Sequence, residues 1–125
     1  MEMWELIKRL LGGATESQSF VPGVIAAGYY SESKASLPAD IPPVDGFMRY
    51  AEDVAIDLEG VGLLEDTPQG TQSLAILNCK RRTVFGEELY QALQSHNVVA
   101  FFEGMKAYID RGEIQRLLYQ LRKRG

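Results

Sequence analysis

The stretch from Asp45 to Leu64, "DGFMRYAEDVAIDLEGVGLL", constrains this chain more than any other. Phe47, Tyr50, Ala51, Val54, Leu58 and Val61 recur at three-and-four spacing, which lines them up on one face of an α-helix. Asp45 stands where an N-cap would accept the first free amides. Glu52, Asp53, Asp57 and Glu59 project largely elsewhere. The spacing therefore predicts a long helix with a buried stripe and an acidic outer surface.

The segments around it read as shorter pieces. "MEMWELIKRLLGG" places Trp4, Ile7, Leu10 and Leu11 at helical spacing and stops at Gly12-Gly13, giving an N-terminal amphipathic helix over residues 1–13. Its stripe is suited to docking on the core, with a membrane surface or a partner as the other readings. Residues 14–46 read as an irregular, proline-containing segment, since Pro38, Pro42 and Pro43 lack amide donors and fix φ. Within it, "VIAAGYY" fits a short strand or a helix interrupted at Gly28. "EDTPQGTQ" (65–72) reads as a loop, "SLAILN" (73–78) as a strand, and "CKRRTVF" (79–85) as its partner.

Thr83 then caps a helix running to about Gln94, with Glu87 and Glu88 near its positive end and Phe85, Leu89, Ala92 and Leu93 inward. "SHN" breaks the chain before a helix in "VVAFFEGMKAYID". Gly112 separates that helix from "EIQRLLYQLRKR", whose Ile114, Leu117, Leu118 and Leu121 face inward. Residues 45–125 thus form a helical core with a hairpin. The fold class expected is α+β and predominantly helical, with helices around a small β-hairpin and 1–125 as a single domain.

Composition limits the chemistry. With 46% hydrophobic and 24% charged residues, the chain matches a globular protein rather than a disordered tail. The lone thiol, Cys79, allows no internal disulfide and fits a reducing, cytoplasmic setting. Glu2 and Glu5 stand where a signal peptide needs positive charge, and no stretch approaches the roughly 20 apolar residues of a transmembrane helix. One histidine, His96, and one cysteine do not make a transition-metal site. "GGAT" lacks the lysine and spacing of a phosphate loop, and "GVGLL" is too short for a dinucleotide fingerprint. No catalytic constellation and no cofactor site is legible, so the expectation is a protein that binds rather than turns over substrate.

From Asp45 to Leu93 the order of parts resembles the second half of a winged-helix domain. Gly62-Leu63-Leu64 is similar to the "GLL" that ends its helix, the strand region through Arg82 to its wing, and Thr83-Val84-Phe85-Gly86-Glu87-Glu88-Leu89 to its "T-x-x-G-x-x-L". The resemblance implies that the helix from Phe47 to Asp66 is the one such domains lay in the major groove. Here it carries Arg49 against Glu52, Asp53, Asp57, Glu59, Glu65 and Asp66. Phosphate contacts dominate nucleic-acid affinity, so an acidic helix of this kind suits a protein partner, which the fold also binds.

Two sets of residues are candidate contacts. Glu52, Asp53, Asp57 and Glu59 would meet a basic protein partner, as an immunity or defence-related protein meets a cationic toxin, by occlusion or scaffolding. Lys80, Arg81 and Arg82, with Arg122, Lys123 and Arg124, would serve a nucleic-acid-binding regulator if the two groups lay together. Their plainer readings are a charged, aggregation-resistant strand edge and cations at a helix C-terminus. The overall charge of −4 at pH 7 leans against nucleic acid.

Overall fold

A computed structural model of the chain describes residues 1–15, 18–67, 79–95 and 100–124. The strand read at residues 73–78, His96, and the first residues of the helix read after it lie outside the described residues. In chain order the elements are α1 (Met3–Gly12), α2 (Pro22–Glu32), a 3-10 turn (Lys34–Ser36), α3 (Val44–Gly60), β1 (Leu64–Asp66), β2 (Lys80–Arg82), α4 (Val84–Gln94), α5 (Ala100–Glu103) and α6 (Arg111–Arg124). The fold is α+β and predominantly helical, and among the described residues its one sheet is the antiparallel pair β1–β2.

α3 is the helix that the spacing predicts, and Phe47, Ala51, Val54 and Leu58 are fully enclosed. Its beginning differs from the reading. Pro43 holds the N-cap position and Asp45 falls in the first turn without a capping bond, where its charge still suits the positive end of the helix dipole. Its end is built by Gly62, whose φ of +84° favours glycine. The Gly62 amide donates to the Glu59 carbonyl (3.0 Å) and the Leu63 amide to that of Leu58 (2.9 Å), a Schellman closure with two buried leucines packed across it.

Glu65 and Asp66, read as the start of a loop, are instead strand. The register pairs Leu64 with Arg82, Glu65 with Arg81 and Asp66 with Lys80. Two of these three cross-strand pairs join an acid to a base, which supports pairing in that register. Thr15 adds a single antiparallel bridge to β2 at Arg81.

The segment read as irregular contains a full helix, α2. Pro22 sits in its first turn, where a missing amide goes unnoticed, and Gly28 passes through the helix facing open space. α2 lies along α3, with the Tyr30 ring 5.7 Å from that of Phe47. Its apolar residues fall on all sides, so no period announces it.

One cluster of buried residues joins these parts: Met3, Leu6, Ile7, Leu10 and Leu11 of α1 with Phe47, Leu58, Leu63, Ile114 and Leu118. α1 therefore docks on the core, and each such side chain contributes about 1.5–3 kcal/mol of transfer free energy. The Met105 carbonyl receives the first amides of α1, from Met3 (2.8 Å) and Trp4 (3.1 Å). That contact needs Met105 in a turn, and α5 stops at Glu103 instead of continuing to Asp110. α6 begins before Gly112, because the Asp110 carboxylate accepts the Glu113 amide at 3.0 Å as an N-cap. Beside it the Tyr50 hydroxyl donates to the Ile109 carbonyl at 2.6 Å. Burial holds that hydroxyl's pKa well above the ordinary tyrosine value.

Candidate functional site

The three cations of β2 are engaged by the fold. Lys80 reaches Glu59 (3.1 Å) and Asp66 (2.5 Å), and Arg81 reaches Glu65 (2.7 Å). Arg82 donates to Glu87 (2.5 Å) and to the Leu11 carbonyl (2.7 Å), and lies 4.3 Å over the Tyr90 ring. A hydrogen bond from Gln91, then that from Arg82, holds the Glu87 carboxylate below its usual range. These side chains tie α1, α3, β1 and α4 together around β2.

A backbone lock sits beside them. The Thr83 hydroxyl donates to the Gly62 carbonyl (2.5 Å) and accepts the Gly86 amide (3.0 Å), and the Thr83 amide donates to Leu63 (3.1 Å). Thr83 is thus the N-cap that the sequence predicts, and it also grips the end of α3. A Cβ on Gly86 would lie 2.0 Å from the Leu63 carbonyl oxygen, so this position accepts glycine alone.

The four acids of α3 separate. Asp57 is buried, with its side chain 8% exposed, against the expectation of a solvated face. It accepts Arg111 Nε (3.0 Å) and Nη2 (3.2 Å) and Gln115 Nε2 (3.0 Å). A buried carboxylate is retained where a guanidinium and an amide replace its water. Asp53 lies at the edge of that pair, 3.8 Å from Arg111. Glu52 and Glu59 are exposed, and Glu52 makes no ion pair with another described residue.

α6 carries Arg116, Arg122 and Lys123, all exposed. Arg116 pairs with Glu113 on its own helix. Lys123 lies 4.9 Å over the Tyr119 ring, and Arg122 stands beside Val84, Phe85 and Glu88. Arg124 closes the helix, and its side chain lies outside the described set. The first turn of α4, with Glu87 toward Arg82 and Glu88 beside Arg122, stands between the β2 cations and those of α6.

Between α3 and α6 runs an open groove lined by Ile56, Gly60, Val61, Gly112 and Tyr119 together with the polar Asp57, Gln115 and Arg116. Ile56 is 61% exposed and Tyr119 57%. Neither appears among the sequence-predicted contacts, yet both carry a signal: each is a large apolar residue standing off its helix's inward stripe. Arg111, the partner of Asp57, carries no such mark, because nothing local joins residues 54 positions apart.

The groove exposes Ile56 and Tyr119 beside the polar side chains of Asp57, Gln115 and Arg116. Among the described residues no group of three His, Cys, Asp or Glu is placed to hold a metal ion, and no helix is long and apolar enough to cross a membrane. Comparison with known protein families, with curated proteins and with solved structures gives no match.

Proposed function

We propose that this chain is a small cytoplasmic protein-binding module that acts by occlusion or scaffolding, with the outer face of α3 as its contact. The observation that carries this reading is Ile56, exposed on α3 between the carboxylates of Glu52, Asp53 and Glu59. Interfaces of this kind use an apolar centre for affinity and a charged rim for orientation and approach. A protein that neutralises a basic partner, in the manner of an immunity or defence-related protein, is a concrete form of it. The buried Cys79 thiol suits a reducing compartment.

The element order supports a winged-helix-like architecture as part of the same proposal. α1, the Thr15 bridge, α2, α3 and the β1–β2 pair follow one another as helix, single-residue bridge, two helices and hairpin. In that arrangement α3 is the reading helix, and its acidic outer side turns it toward protein. A nucleic-acid-binding regulator is the second reading, favoured by the exposed Arg122 and Lys123. It draws less support from Lys80, Arg81 and Arg82, whose charges are met within the fold.

Affinity capture from native cell extract, with and without nuclease, tests the choice. The expected result is a protein companion that survives nuclease and is lost from a Glu52→Lys variant. Companions that vanish with nuclease, and that this variant keeps, would overturn it.

A further inference from the structure

We draw no further inference here: the strongest candidate, the open groove between α3 and α6 in which Ile56 and Tyr119 stand exposed, is an unpartnered face, and nothing in the structure shows what covers it.

Discussion

Two regions of this molecule are rich in charge and use it in opposite ways. Around β2 every cation is committed: Lys80, Arg81 and Arg82 each meet an acid from another element, and Thr83 and Gly86 fasten the same place to the end of α3. On the α3–α6 face, Ile56 and Tyr119 stand exposed in an open groove, and the exposed Glu52 of α3 makes no ion pair with another described residue. The first arrangement holds elements together; the second leaves charge and apolar surface available to another molecule. Clustered charge in a sequence therefore says little about function until its partners are known. The three consecutive cations of β2, conspicuous in the sequence, belong to the fold, while one isoleucine among acids marks the surface.

The hardest way to break the β2 clasp is at Gly86. Gly86→Ala gains helix propensity of about 1 kcal/mol. It also drives a methyl group into the Leu63 backbone, which cannot yield without opening the Schellman turn of α3. We expect a net loss of about 3 kcal/mol or more, read by urea or thermal unfolding. Gly28→Ala is the control: it too lies within a helix, has open space around it, and should be neutral or stabilising by up to about 1 kcal/mol. Equal effects at the two glycines would remove the clasp from this account.

Asp57 tests the border between the regions, since it belongs to α3 but is buried like a core residue. Arg111→Ala leaves its carboxylate with Gln115 as the remaining donor. A fully enclosed carboxylate stripped of its cation costs roughly 3–5 kcal/mol. The Arg111 side chain is 40% exposed, so water reaches part of the gap and a smaller but measurable loss of stability is expected. An unfolding free energy unchanged within error would mean that Asp57 is solvated after all.

The helices with a strict period were legible in sequence, and so was the Thr83 cap, because spacing and capping are local properties. α1 and α3 each carry one apolar stripe, and a stripe can be read from a dozen residues. α2 was not legible: Val24, Ala26 and Tyr29 scatter round its axis, and Gly28 looks like a break although the helix runs through it. The pairing of residues 64–66 with β2 was not legible for a related reason. Glu65 and Asp66 are poor strand formers, and their place in β1 is fixed by Arg81 and Lys80 across the pair. At the candidate site the acids of α3 were visible as residue types. Their division into a buried Asp57 and an outward Glu52 depends on α6, more than 50 residues away.

Acid titration gives a smaller effect confined to the clasp. The Glu87 carboxylate is held below its usual range by Gln91 and then Arg82. Its contribution is present above the ordinary glutamate value, about 4.3, and is lost as pH falls through the lowered folded value. A Glu87→Gln variant should show a shallower loss of stability across that window than the parent chain. Parallel curves would mean that Arg82 gains nothing from this partner.

The smallest expected effect on stability carries the most weight for function. Glu52→Lys reverses an exposed charge on α3 that pairs with no described residue, and surface changes of that kind stay within about 0.5 kcal/mol. The unfolding midpoint should therefore barely move. If α3 is a contact face, the same substitution must weaken whatever rests on it, because a rim charge turned against its counterpart costs association without costing the fold. A stability-neutral variant that loses association separates the two uses of charge in this chain. One that destabilises the fold would show that Glu52 belongs with Glu59 and Asp66 among the fold's own pairs, and the comparison between the two regions would fail at that residue.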